Sequence, residues 1–92
     1  MNKTDLVEAI AERAELSKVA SGRLLEIMLE IIGETLEKEE DINLVGFGSF
    51  SVIKRQQRQG RNPSTGELIT IPAAKVPRFR PGKLLKNKVN NE

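Results

Sequence analysis

Apolar residues recur at helical spacing through the first forty positions of the chain. Asn2 stands where a helix cap is needed, with Asp5 three residues on, and Leu6, Val7, Ile10 and Ala14 follow on one stripe. This predicts a helix over residues 3–14. Leu16-Ser17 interrupts the pattern, and Ser17 can cap a second helix running to about Lys38, with Gly22 and Gly33 tolerated in its interior. Leu25, Met28, Leu29, Ile32 and Leu36 form one stripe of that helix. Leu24, Ile27 and Ile31 widen the apolar surface onto an adjacent face. A lone helical hairpin cannot cover both faces, so the missing cover most simply comes from a second copy of the chain. The other packing places one face on the first helix and the other under a sheet.

Beyond an acidic run (Glu37, Glu39, Glu40, Asp41) the period changes from helical to extended. Ile42 to Val45 reads as a short strand and leads into Gly46-Phe47-Gly48-Ser49-Phe50-Ser51-Val52-Ile53, where Phe47, Phe50 and Val52 are expected to face inward, as is Leu44. Its glycines signal a tight bend or a close backbone approach. Lys54 to Gln59 then contains no apolar residue, Gly60 to Gly66 is turn chemistry around Asn62-Pro63, and Leu68, Ile69 and Ile71 are strand formers. These features predict a hairpin arm over about 54–72 with an anchored base and a free tip. A limb of about seven residues at ~3.3 Å each projects roughly 20 Å. It carries Lys54, Arg55, Arg58 and Arg61 against one acid, Glu67. Ala73 to Gly82 should return as an extended segment anchored by Val76 and Phe79, kept out of the middle of a ladder by Pro77 and Pro81. A last helix over about Lys83 to Val89 would turn Leu84, Leu85 and Val89 inward and Lys83, Lys86 and Lys88 outward. The expected class is α+β.

Charge sharpens the division of labour. Residues 1–45 hold 5 basic and 11 acidic side chains (net −6), and residues 46–92 hold 10 basic and 2 acidic (net +8), within an overall +2. The binding surface is therefore expected in the second half, on an arm built to touch something anionic. Ninety-two residues make one domain near the size at which a single chain struggles to bury enough apolar surface. The expected organisation is a helical dimerisation part (1–45) followed by a sheet, the arm and a C-terminal helix (46–92). With no cysteine, disulfides are excluded, and with no histidine the usual transition-metal ligands and the commonest general base are missing, which argues against zinc and most hydrolytic catalysis. No cofactor, metal or small-molecule substrate is expected. No signal-like or membrane-spanning apolar run is present, which predicts an intracellular protein without a membrane partner. Gly46-Phe47-Gly48 lacks the remaining glycine or the Gly-Lys-Ser/Thr ending of a phosphate loop, and its glycines read as structural.

Met1-Asn2-Lys3 at a helix start, Gly46-Phe47-Gly48-Ser49-Phe50, Gly60-Arg61-Asn62-Pro63-x-Thr65-Gly66, Ile71-Pro72-Ala73 and Phe79-x-Pro81-Gly82-Lys83 together resemble the bacterial HU and integration host factor family of histone-like DNA-bending proteins, over essentially the whole chain. The resemblance implies an intertwined dimer with a helical base and two protruding arms that wrap the DNA minor groove. It implies that Pro63 wedges between base pairs at the arm tip. It also implies a contact set of Lys3, Lys54, Arg55, Arg58, Arg61, Asn62, Pro63, Lys75, Arg78, Arg80, Lys83 and Lys86, with a core and dimer set of Leu25, Met28, Leu29, Ile32, Leu36, Leu44, Phe47, Phe50 and Phe79. The short amino terminus is similar to HU chains, whereas Phe79 to Lys86 is similar to integration host factor subunits, so both branches stand at this point. Ile53 and Gln57 occupy positions where HU arms often carry further basic residues.

The function this implies is architectural: a homodimer, or a heterodimer with a paralogue, that bends and compacts double-stranded DNA, especially bent, nicked or distorted duplexes, in the cytoplasmic nucleoid. Nothing in the arm resembles a base code, and arginine in a minor groove reads width and A·T content at best. Low sequence specificity follows for an HU-like protein and more preference for an integration-host-factor-like one. A scaffold gripping RNA or acidic proteins with the same arm is the alternative from another class. An enzyme acting on nucleic acid lacks both a histidine and a carboxylate cluster among its basic residues.

Overall fold

The computed structural model describes residues 1–91. Three helices and five strands follow one another as α1 (Lys3–Ala14), α2 (Lys18–Glu37), β1 (Ile42–Leu44), β2 (Gly48–Arg55), β3 (Arg58–Arg61), β4 (Leu68–Ile71), β5 (Ala74–Pro81) and α3 (Lys83–Val89). Two compact units divide after Thr35.

In the first unit the expected caps form. The Asn2 side chain accepts from the Asp5 N–H at 2.9 Å, and the Asp5 carboxylate accepts from the Asn2 N–H at 3.1 Å, a reciprocal capping box. Ser17 Oγ accepts from the Ala20 N–H at 3.0 Å and starts α2. A Cβ at Gly22 would meet Val7 Cγ1 of α1 at an ordinary 3.8 Å, so the packing here does not require a glycine. Among the described residues only Ala11, Ser21 and Leu25 are buried. Leu24, Ile27, Met28, Leu29 and Ile31 stay 40–54% exposed in the single chain. Of the expected core, Leu25 is therefore inside, Ile32, Leu36 and Phe50 are half-buried, and Met28, Leu29, Leu44, Phe47 and Phe79 are exposed. One chain does not contain enough atoms around them to close a core.

The second unit is built on a three-stranded antiparallel sheet in the order β1-β2-β5. Phe50 pairs with Ile42 on one side and Phe79 on the other, and Gly48 pairs with Leu44 and Pro81. The return segment is a full eight-residue strand rather than a loose extended stretch. Pro77 and Pro81 are accommodated because β5 is an edge strand that needs hydrogen bonds on one side only. The bend before β2 is real: Gly46 has φ +86°, and the Phe47 N–H donates to the Leu44 carbonyl at 2.9 Å. Phe47 thus lies in the turn rather than on the strand. Its ring still meets Phe79 at 5.4 Å between centroids, and Phe50 meets Phe79 at 4.9 Å, both tilted.

Two expectations for this unit are corrected. Leu84 and Val89 are exposed and only Leu85 is half-buried, because neighbours on a helix point about 100° apart and one short helix cannot turn Leu84 and Leu85 to the same face. The arm is also not one continuous hairpin. Strand β2 ends at Arg55, and a separate two-stranded ribbon, β3 with β4, begins at Arg58. Pro72 lies in the gap opposite, where it lacks the N–H that would carry the ladder through. The register survives the gap: Arg55 faces Ala74 and Arg58 faces Ile71, with two residues opposing two between them.

A Cβ at Gly48 would lie 2.6 Å from the Arg80 carbonyl oxygen and 2.7 Å from the Phe79 ring. Gly48→Ala is expected to force β2 and β5 apart and lower stability by about 1–3 kcal/mol, measured by denaturant unfolding at one fixed protein concentration. A loss below a few tenths would show that the clash is relieved cheaply.

Candidate nucleic-acid interface

Strand pleating sorts the charges of the sheet. Alternate residues point to opposite faces, so Ile42, Leu44, Phe50, Val52, Pro77 and Phe79 share one face with Lys54 and Lys75. The other face carries Ser49, Ser51, Arg78, Arg80, Ile53, Val76 and, at the root of the arm, Arg55. Three of the expected contact residues are thereby brought together: Arg55, Arg78 and Arg80 stand on one polar sheet face. Among the described residues no carboxylate lies within ion-pair distance of any arginine of this unit.

Along the ribbon, Arg58 shares a face with Gly60, Ile69 and Ile71, and Arg61 shares the other with Gln59, Leu68 and Thr70. The arm's arginines therefore point to both sides of β3. Between the two sheets, Arg55, Gln56, Arg58, Ile71, Pro72, Ala74 and Val76 line an open groove of about 430 Å³ that combines basic and apolar side chains.

The tip is held by its own hydrogen bonds. The Asn62 N–H donates to the Glu67 carbonyl at 2.8 Å, and the Gly66 N–H donates to the Asn62 carbonyl at 2.7 Å. Asn62 Oδ1 accepts from the Ser64 N–H at 2.9 Å, the side-chain turn that asparagine favours. Gly66 has φ +74°, a conformation glycine takes without steric cost. Arg61 Nη1 donates to the Gly66 carbonyl at 3.0 Å, so one donor of its guanidinium staples the tip and the rest stay available. Pro63 is exposed at the apex.

The lysines are placed differently. Lys3 is ion-paired with Glu26 in the first unit. Lys83 and Lys86 are exposed on α3, whose start is tied to the turn before β2 by the Gly82 N–H donating to the Phe47 carbonyl at 2.8 Å. Lys54 and Lys75 oppose each other across β2 and β5 and both engage Glu39, with Lys75 Nζ 3.1 Å from Oε1 and Lys54 Nζ 3.2 Å from Oε2. The arm's basic residues thus face a second acid besides Glu67. Nothing in the acidic run distinguishes Glu39 in the sequence. The signal is the register, since two like charges directly opposite destabilise a sheet unless a counter-charge stands between them.

The residues matched by the profile of the family described as "Bacterial DNA-binding protein" are 1–90. The chain belongs to that family. The HU-beta DNA-binding protein of Salmonella typhimurium is 53% identical over 90 residues, covering 98% of this chain and all of the relative. HU-1 of Halalkalibacterium halodurans is also 53% identical, with the same coverage. A solved Anabaena HU–DNA cocrystal structure superimposes with a TM-score of 0.91 at 44% identity over the full length of both chains, and Thermotoga maritima HU (V42I) with 0.72 at 38% identity, covering 97% of this chain and 99% of that one. Of the two branches that the motifs resemble, these relatives carry the HU name.

Hydrogen bonds from Lys75 and then Lys54 hold the Glu39 carboxyl below its ordinary value of 4.5. A carboxylate depressed in the folded state contributes stability that is complete above its unfolded value and is lost as pH falls through the folded one. The thermal midpoint of the parent should therefore exceed that of Glu39→Gln at pH 7, and the difference should vanish as the solution is acidified below pH 4.5. A difference that persists at low pH would assign it to packing instead.

Proposed function

We propose that the protein is a histone-like architectural DNA-binding protein that pairs with a second copy and bends and compacts duplex DNA in the nucleoid, with little reading of base sequence. The carrying observation is the full-length likeness to a chain crystallised with DNA, at a TM-score of 0.91, in a chain whose arm and sheet face present arginines with no acidic partner among the described residues. Backbone phosphates are the ligand such a surface suits, and they supply most of the affinity of binding that ignores sequence. In this reading Arg55, Arg58, Arg78 and Arg80 hold phosphates, Arg61 both closes the tip and reaches the groove, and Pro63 is the apolar wedge that kinks the step beneath it. Gel shifts on linear, nicked and mismatched duplexes, with an RNA duplex as competitor, test the partner. Tighter binding to distorted DNA supports the reading, and preferential capture by RNA overturns it.

The two jobs of the arm separate experimentally. Arg58→Ala should lower the log–log salt slope of binding by ~0.9, the share of one phosphate. Pro63→Ala removes no charge and should leave that slope in place while reducing the bend angle read by fluorescence transfer between labelled DNA ends. Unstacking a step costs about a few kcal/mol, so the same variant should be least impaired on nicked duplexes, where part of that cost is already met.

Pairing is supported by the exposed apolar residues of α2 and by Phe47 and Phe79. If a second copy covers them, the thermal midpoint must fall on dilution through the micromolar range. A midpoint independent of concentration, with a monomer in sedimentation, would refute the pairing.

A further inference from the structure

We propose that Glu39 is a positioning residue that withholds Lys54 and Lys75 from DNA, so that two of the arm root's cations are outside the phosphate-binding set of the resting protein. The proposal rests on the DNA-binding reading above and deepens it.

Four observations converge on this carboxylate. Its two oxygens are divided between two lysines, one ammonium to each oxygen at 3.1 and 3.2 Å. Those lysines are a directly opposed pair on adjacent strands, a repulsive arrangement that a bridging anion relieves. They lie on the sheet face opposite Arg55, Arg78 and Arg80, with Phe50 and Phe79. Finally, Glu39 sits in the left-handed conformation, φ 62°, in the turn that closes α2, its N–H donating to the Leu36 carbonyl at 2.9 Å. Glycine is the usual occupant of that place because it meets no steric penalty there. A glutamate carries the penalty together with a side chain, and this side chain reaches both lysines.

Glu39, Lys54, Arg55, Gln56, Ala73 and Lys75 border an open groove of about 460 Å³ at the arm root. Groove and paired ammonium groups suit an oxyanion, and Glu39 supplies one from within the chain. A phosphate arriving here meets ammonium charge that a carboxylate already neutralises, whereas one arriving at Arg55 or Arg58 meets guanidinium charge with no acidic partner among the described residues.

The test is a salt titration of DNA binding. In the parent, Lys75→Ala should leave the log–log slope unchanged although it removes a positive charge. Glu39→Gln should steepen the slope by ~0.9 to ~1.8, because one or both of the freed lysines then neutralise a phosphate. Adding Lys54→Ala and Lys75→Ala to Glu39→Gln should return the parental slope. Glu40→Gln, which removes the same charge from the next residue, is the control and should change nothing. The proposal is overturned if Lys75→Ala lowers the parental slope, if Glu39→Gln leaves it unaltered, or if Glu40→Gln steepens it equally. Failure of the parent itself to bind duplex DNA would instead overturn the functional reading. Circular dichroism of each variant at the titration temperature confirms that folded protein is compared.

Discussion

The constraint on which the molecule depends is its lack of interior. Among the described residues of a 92-residue chain only Ala11, Ser21 and Leu25 are buried, while five large apolar residues of α2 keep 40–54% of their surface. Covering the half of each such side chain that is still exposed would contribute about 0.7–1.5 kcal/mol. The five together would reach the lower part of the net stability of a small domain, about 5–15 kcal/mol. The fold is organised to present that surface rather than to hide it, and the proposed pairing of two copies follows from this shortage. The same shortage leaves the second unit thin. A three-stranded sheet, a three-ring aromatic cluster and a seven-residue helix order it, and its remaining backbone is free to project.

Proline placement determines how that projection is made. Pro77 and Pro81 sit on β5, which has one free edge, and Pro72 lies in the gap where the ladder stops between the sheet and the ribbon. The arm therefore has a joint with unbroken register: the two segments keep the same residues opposed but are separate sheets. Two residues on each side, Gln56 and Gln57 opposite Pro72 and Ala73, lie outside both ladders at the arm's root.

Electrostatics on this scaffold is a matter of parity more than of total charge. The second half of the chain is strongly basic, yet its cations are not equivalent. Pleating places Arg78 and Arg80 together on one face and Lys54 and Lys75 on the other, and the latter pair is claimed by Glu39. Among the described residues the guanidinium groups of the second unit stand without acidic partners, and the ammonium groups at the arm root do not. Arg61 adds a third condition, neither free nor ion-paired, because one of its donors closes the tip.

Local chemistry was enough to read the helices. The Asn2 and Ser17 caps, apolar spacing and the turn at Asn62-Pro63 act between residues a few positions apart, and α1 and α3 run over the residues their sequence predicts. The family motifs, spread over the whole chain, were likewise legible, and with them the basic arm. What lay beyond the sequence were the relations between distant segments. That β5 is a full strand depends on its being at an edge, and the break in the arm depends on Pro72 and Ala73 lying opposite Gln56 and Gln57. The commitment of Lys54 and Lys75 depends on β2 and β5 converging on a turn after α2. Sequence encodes the charge and reach of a side chain, but an ion pair between residues 39, 54 and 75 exists only once strand pairing has brought their backbones together.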